Sequence, residues 1–162
     1  MATNLEFIKK ESADSVSSLT VTDMFSAQYD VYEVFVTGNG SQNVGSITAE
    51  FLDSGGSDIA QGAYDFATLR MKPSSAFDDV NGTNGNSFEM VYTSASDEDF
   101  GIKITVFNPF SSSSYTFATI QAMSAYGAKG ITVAKSTTSA TSMKFYANQN
   151  YTPINVSVYG VK

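Results

Sequence analysis

Short runs in which apolar and polar residues alternate recur along the whole chain, and such alternation is typical of strands with one buried face. In the run 29–37 both alternating sets contain apolar residues, which predicts a central strand. Further runs cover residues 47–51, 67–71, 88–92, 102–106, 131–133, 143–147 and 154–158. The pattern therefore predicts an all-β fold, a single antiparallel β-sandwich or jelly roll of about eight to ten strands.

Turn residues interrupt these runs and set the predicted strand ends. Gly and Asn at 38–41 end the first central strand, and 74–86 predicts a long loop rich in Asn and Gly. Residues 94–99 predict an acidic turn, and 126–130 predict a loop or bulge. The alanines of 115–123 allow a helical turn, whereas its Thr, Tyr and Phe favour a strand, which we predict.

The length of 162 residues suits one domain with a sizeable core, and no change in composition marks a second one. We therefore treat 1–162 as a single β-sandwich domain, in which 1–15 is a candidate N-terminal arm. Alternation within each run predicts which side chains point into the core. They are Phe35, Phe51, Leu69, Met90, Ile104, Phe117, Val133, Phe145 and Val156.

The residue types that most enzymes use for acid–base and nucleophilic chemistry are missing from the sequence. The chain contains no His and no Cys, so it has neither an imidazole base nor a thiol nucleophile. Carboxylate pairs such as Asp78-Asp79 remain as candidates for glycosidase-like chemistry, although solvated loops explain them more simply. We predict a protein that is not an enzyme and has no catalytic residues, with a carbohydrate-active enzyme as the remote alternative.

Carboxylates also offer candidate Ca²⁺ ligands at two places, 53–58 and 97–99. The first group lacks the ligand spacing and the terminal Glu of a calcium loop, so a plain turn explains it better. No glycine-rich phosphate loop occurs in the chain. We therefore predict neither a metal nor a cofactor.

The charge balance is acidic, with a net charge of −7 and a pI near 4.3. Such a chain lacks the basic face that a nucleic-acid partner requires. The first 99 residues carry four basic and sixteen acidic side chains, whereas the remainder carries five lysines and no acid. Interleaved strands would mix the two halves in space. The alternative is a surface polarised for contact between copies, and hence a homo-oligomer, for which we favour a trimer.

The sequence predicts no membrane partner. No apolar run reaches the length of about 18 residues that a membrane-spanning helix needs. Residues 1–4 lack the basic start and the apolar run of a signal peptide. We expect a soluble protein that is made in a cytoplasm.

An apolar corner followed by four serines is a distinctive stretch. Pro109 cannot donate to a strand ladder and disfavours helix at the preceding residue, so the chain turns at Asn108. We expect Phe107 or Phe110 to be buried and the serines to lie at the surface, where hydroxyls bond the turn backbone. The candidate contact surface for another protein or a glycan is Ser111, Ser112, Ser113, Ser114, Tyr126 and Tyr151.

Several segments resemble a family of small β-sandwich structural proteins of tailed phages, especially marine and cyanobacterial ones. They are 16–25 with 29–32 (VSSLTVTDMF and YDVY), 62–67 (GAYDFA), 107–117 (FNPFSSSSYTF) and 156–161 (VSVYGV). The segment 107–117 is the most specific match. One departure is Ala63, which precedes Tyr64 where relatives have Asn-Tyr.

The resemblance implies a protein of the virion surface, made in the bacterial host cytoplasm, since such domains occur free-standing and at the ends of phage fibres. The expected function is that of a capsid decoration or cement protein, whose partners are the major capsid protein or tail proteins. The alternative is a tail or fibre component that binds a host-surface receptor, in particular a glycan. The family provides no catalytic residues to assign.

Overall fold

The computed structural model describes residues 4–40, 45–72, 77–93 and 98–162, which form eleven β-strands. They are β1 (Leu5–Ala13), β2 (Val16–Val21), β3 (Val31–Gly40), β4 (Gly45–Leu52), β5 (Tyr64–Met71), β6 (Asp78–Gly85), β7 (Phe88–Thr93), β8 (Glu98–Phe107), β9 (Thr116–Met123), β10 (Gly127–Ala134) and β11 (Ser142–Val161). In these ranges there is no helix that is long and apolar enough to cross a membrane.

Strand β11, which is 20 residues long, belongs to both layers of the fold. Its residues 142–146 lie between β2 and β4, and its residues 154–161 lie between β1 and β3. The larger sheet therefore has the order β1-β11-β3-β8-β9-β10-β5-β6, and the smaller sheet has the order β2-β11-β4-β7. Every strand pair between described residues is antiparallel, so the predicted all-β antiparallel architecture is confirmed.

The core lies between the two sheets, where β7 packs over β5, β9 and β10. Its largest buried side chains are aromatic and come from both layers. The Phe51 ring centroid lies 5.5 Å from that of Phe88, which lies 5.7 Å from that of Tyr64. The Tyr64 hydroxyl accepts a bond from the Phe51 N–H at 2.8 Å and donates to Asp58 Oδ1 at 2.8 Å. The hydroxyl of this buried phenol is therefore satisfied both as a hydrogen-bond donor and as an acceptor.

The nine predicted core side chains divide between the core and the outer surface. Five are confirmed as fully buried: Phe51, Met90, Ile104, Phe145 and Val156. The predictions for the other four are wrong: Phe35, Leu69 and Phe117 are exposed, and Val133 is half-buried. All four errors fall on the larger sheet, where the opposite face of each strand is the one that points inward.

Strand β9 shows the physical reason for these errors. Its inward residues Ala118, Ile120 and Ala122 are mostly small, and all three are buried. The larger Phe117 points outward together with Gln121. Side-chain size therefore gives the wrong face for this strand, whereas the polar side chains give the right one.

Several predicted loops are strands. Residues 78–85 form β6, and Gly127 to Gly130 belong to β10, which pairs with β5 and β9 along its whole length. Residues 98–99 begin β8, while 94–97 lie outside the described ranges, as do 73–76. Residues 5–13 form β1, which pairs along β11, so they are part of the sheet and not an arm.

The predicted break at 38–41 is also wrong for its described part, because β3 continues to Gly40. Gly38 serves close packing there, since a Cβ would lie 2.6 Å from the Phe100 ring and 2.6 Å from the Pro153 carbonyl oxygen. Gly160 in the closing strand has a similar role. A Cβ at that position would lie 2.5 Å from the Tyr29 ring, so the ring can cover the strand only above a glycine.

The contrast between Phe145 and Phe117 gives a stability test. Phe145→Ala should lower the free energy of unfolding by about 3–5 kcal/mol, because a fully buried ring leaves a cavity between the sheets. Phe117→Ala, the matched control, should change it by less than about 1 kcal/mol, because 42% of that side chain is exposed. Urea unfolding of dilute protein measures both values. Equal losses would show that the inward face of β9 is misassigned.

Candidate functional site: the outer face of the larger sheet

The side chains of the larger sheet that point away from the core form its outer face. Eight of the eleven large hydrophobic side chains that are exposed in the described ranges lie on this face. They are Leu5, Phe7, Phe35, Leu69, Met71, Phe117, Met123 and Ile131. Monomeric proteins rarely expose apolar side chains in one continuous patch, and such patches mark interaction surfaces. The outer face is therefore the candidate functional site.

The strand register places these side chains in rows across the sheet. In one row Leu69 of β5 lies opposite Lys129 of β10, which lies opposite Gln121 of β9. The same row continues to Lys103 of β8 and Phe35 of β3. The next row contains Ala67, Ile131, Thr119, Thr105 and Glu33. In both rows the side chains of the central strands β8 and β9 are polar, so apolar side chains flank a polar centre.

Shallow depressions lie between these rows. One is lined by Ala67, Leu69, Lys129 and Ile131 together with residues of β6 and β9. A second is lined by β3, β8 and β9 residues, and the two depressions share Gln121. The two depressions therefore form one continuous uneven surface from β6 to β3.

Charges on the outer face are close to balanced. The Lys103 ammonium lies 3.2 Å from Glu33 Oε2, and the Lys135 ammonium lies 2.9 Å from Asp65 Oδ1. The hydrogen bond from Lys135 lowers the pKa of the Asp65 carboxyl. Three further charges, Lys10 on β1, Lys129 on β10 and Asp79 on β6, have no ion-pair partner within the described ranges. The face is thus nearly neutral on a chain whose net charge is −7.

An aromatic cluster occupies the other end of the face, on β1, β11 and β3. The Tyr159 ring centroid lies 5.6 Å from that of Phe7 and 5.8 Å from that of Phe35, each in an edge-to-face geometry. Leu5 lies next to this group. Because 58% of Phe7 and 36% of Phe35 are exposed, the cluster presents apolar ring surface to solvent.

The predicted corner at the end of β8 exists and is held firmly. Asn108 adopts a left-handed conformation (φ 54°), and its N–H donates to the Asp30 carbonyl at 2.7 Å. The Pro109 carbonyl accepts a bond from the Ala140 N–H at 2.7 Å. Pro109 itself is the buried residue of the corner. The expectation that Phe107 or Phe110 is buried is wrong, because the first is half-buried and the second is 37% exposed.

The four serines after the corner satisfy their own turn, as the sequence predicted. Ser111 Oγ accepts bonds from the N–H groups of Ser113 at 3.2 Å and Ser114 at 3.1 Å. Ser112 and Ser113 are exposed, whereas Ser111 and Ser114 are half-buried. Their tip lies where β8 ends and β9 begins, which is the opposite end of these strands from Tyr126, in the β9–β10 turn.

Tyr151 does not belong to a contact surface. The side chain is fully buried in β11, and its hydroxyl has no hydrogen-bond partner among the described residues. Its ring centroid lies 5.9 Å from that of Phe100. Burial raises the pKa of this phenol well above its ordinary value. The predicted contact residues therefore do not form one site.

A buried ion pair near Tyr126 was not predicted from the sequence. Arg70 contacts Glu89 between the sheets, and Ser46 Oγ donates to Glu89 Oε2 at 2.6 Å. The Arg70 guanidinium carbon lies 5.0 Å from the Tyr92 ring centroid, and that ring stacks on Tyr126 at 6.3 Å. Tyr126 is therefore half-buried and packs within the end of the sandwich.

Carboxylates in the described ranges do not gather as metal ligands. These ranges contain no group of three or more His, Cys, Asp or Glu residues that could hold a metal ion. Asp53 Oδ1 instead accepts the N–H groups of Gly55 at 2.8 Å and Ser57 at 2.9 Å, which is the plain turn that the sequence favoured. Asp97 lies outside the described ranges.

One signal in the sequence does identify the outer face. Thr119 and Gln121 share a face of β9 with Phe117, and Lys129 shares a face of β10 with Ile131. A polar side chain on the same face as an apolar one indicates that this face points to solvent. Applied to β9, that rule would have placed Phe117 outside. It does not hold for β5, where Thr68 and Arg70 share the inward face with Tyr64.

No family model and no curated protein matches the chain. Among solved structures it is similar to exo-inulinase from Aspergillus awamori, with 10% identity, a TM-score of 0.41, and coverage of 98% of this chain but only 29% of the inulinase. It is also similar to a marine PL-14 alginate lyase from Aplysia kurodai, with 7% identity, a TM-score of 0.37 and coverage of 85% and 71%. A third is endo-beta-1,4-glucuronan lyase from the fungus Trichoderma reesei, with 6% identity, a TM-score of 0.35 and coverage of 94% and 80%.

The phenols of Tyr64 and Tyr151, both buried in the core, give a spectroscopic test of the fold. Burial raises the pKa of both, so both should stay protonated at about pH 10, where a phenol in water ionises. Because their folded-state pKa exceeds the unfolded value, the stability they contribute is complete below about pH 10 and falls as the pH rises further. Phenolate absorbance measured alongside circular dichroism reports both events. Ionisation of all nine tyrosines near pH 10 in the folded protein would contradict the burial.

Proposed function

We propose that the chain is a structural protein of a tailed-phage particle, which acts by surface contact and not by catalysis. In this proposal it is a capsid decoration protein that coats the particle exterior in many copies and contacts the major capsid protein or its own neighbours. The single observation that carries a contact role is the outer face of the larger sheet. Eight exposed large hydrophobic side chains on one face are unfavourable for an isolated soluble domain.

The resemblance to small phage structural proteins supports the placement on a virion, and its matching segments have structural roles here. The corner at 107–117 is held by backbone bonds at Asn108 and Pro109. In the closing strand, Gly160 allows the Tyr29 ring to pack against β11. These segments therefore maintain the sandwich, and the outer face provides the contact surface.

A tail or fibre component that binds a host-surface glycan is the second candidate. The observation that favours it is the cluster of Phe7, Phe35 and Tyr159, because exposed rings provide apolar surface against which a sugar can stack. In that case the ring cluster, and not the aliphatic part of the face, would make the contact.

Copy number on the particle separates the two candidates. Quantitative mass spectrometry of purified particles should find the chain on the order of hundreds of times per particle if it decorates the shell. A tail or fibre component would instead be present in a small multiple of three or six. Complete absence of the chain from purified particles would contradict both.

The serine tip gives a second test. Replacing Ser112 and Ser113 by Glu should leave folding unchanged, because both side chains are exposed and neither hydroxyl accepts the turn N–H bonds made to Ser111. If the outer face makes the contact, attachment of the purified protein to particles that lack it should also stay within about twofold of the wild type. A sedimentation assay measures the attachment. Loss of particle attachment in this variant, with folding intact, would show that the serine tip makes the contact.

A further inference from the structure

We propose that a second copy of this chain covers the outer face of the larger sheet, so that two copies pack face to face about a two-fold axis. This inference names the partner at the surface used in the proposed function, and it rests on that surface being a contact site. Three properties of the face support it: the exposed aliphatic side chains, the size of the face and the balance of its charges.

The composition of the face fits a protein surface better than a glycan. Its most exposed aliphatic and thioether side chains are Met123 at 68%, Ile131 at 58% and Leu69 at 44%. Aliphatic and thioether side chains gain most from removal of water by another apolar surface, at about 25 cal/mol per Å². Between them stand Gln121 and Thr119, which can bond across an interface without introducing charge.

The size of the face matches what a stable pair requires. Eight strands spaced about 4.8 Å apart, each contributing about eight residues, give a face of roughly 34 Å by 26 Å, or on the order of 900 Å². A standard protein interface buries about 800 Å² on each partner. A second copy presents an identical area, and pleated sheets of this kind pack face to face about 10 Å apart.

The charges allow two copies to meet here and oppose contact over the rest of the molecule. The chain carries a net charge of −7, so most surfaces of two copies repel each other. On the outer face, Lys103 is paired with Glu33 and Lys135 with Asp65. Lys10 and Lys129 are cations without an ion-pair partner in the described ranges, and Asp79 is the corresponding anion. The face is therefore nearly neutral, and like copies can approach each other through it at low electrostatic cost.

A contact that joins the same face of both partners closes on itself and gives a dimer. The trimer that the charge distribution suggested would need head-to-tail contacts between different surfaces, so it would not pair the outer face with itself. The mass of the protein in solution therefore distinguishes the two arrangements.

Analytical ultracentrifugation of the whole chain over a range of concentrations tests the proposal. The wild type should sediment as a species of twice 17.3 kDa that dissociates on dilution. Ile131→Lys and, independently, Met123→Lys should weaken the dimer by about tenfold or more, because each places a charge in the covered apolar face. Both positions are exposed in the single chain, so circular dichroism and the melting temperature of the monomer should stay unchanged.

Ser18→Lys is the matched control, since it adds the same charge on exposed β2 of the smaller sheet and should leave the dimer intact. A wild-type monomer at every concentration, a trimer, or a dimer that ignores both face variants would each overturn the proposal. Binding of a glycan array by the monomer, abolished by Phe7→Ala in the ring cluster, would overturn it in favour of a sugar ligand. Attachment to phage particles is measured separately. A monomer that attaches to particles through this face would contradict the dimer and support the decoration role. A dimer that is absent from particles would support the dimer and contradict the decoration role.

Discussion

The fold depends on one strand that serves two sheets. In β11, residues 142–146 are flanked by β2 and β4, and residues 154–161 are flanked by β1 and β3. Between these parts the pairing is irregular on both sides of Tyr151, so the strand changes direction there without ending. Because both layers share this backbone, the side chains of one sheet are fixed in position over those of the other, and the aromatic core can close between them.

This shared strand also explains the unequal layers. The smaller sheet has four strands and covers part of one side of an eight-stranded sheet, whose other side has no covering layer in the described residues. Rings such as Phe51 and Phe88 from the smaller sheet share the core with large inward side chains of the larger sheet, including Tyr32, Tyr64 and Ile104. On β9 the inward residues Ala118 and Ala122 are small, whereas Phe117 points outward. The exposed apolar face lies on the side of the larger sheet that the smaller sheet does not cover.

Sequence pattern was sufficient for the all-β class, because alternation and turn residues are local properties of a strand. It located Phe51, Ile104 and Phe145 in the core, since each has polar neighbours that point the other way. It failed for Leu69 and Phe117, where the choice of face depends on side chains from a distant part of the chain. It also missed β6, whose Asn and Gly residues pair at a sheet edge for which local composition gives no strand signal.

Methionine oxidation tests most directly whether the outer face is a contact surface. Met71 and Met123 lie on it with 38% and 68% of their side chains exposed, whereas Met24, Met90 and Met143 are buried and act as internal controls. Dilute peroxide should oxidise the first two in the free, dilute protein. Peptide mass spectrometry should find that both methionines are protected from oxidation when a second copy or a particle covers the face. Oxidation of Met71 and Met123 at the same rate in the free and assembled states would contradict the account.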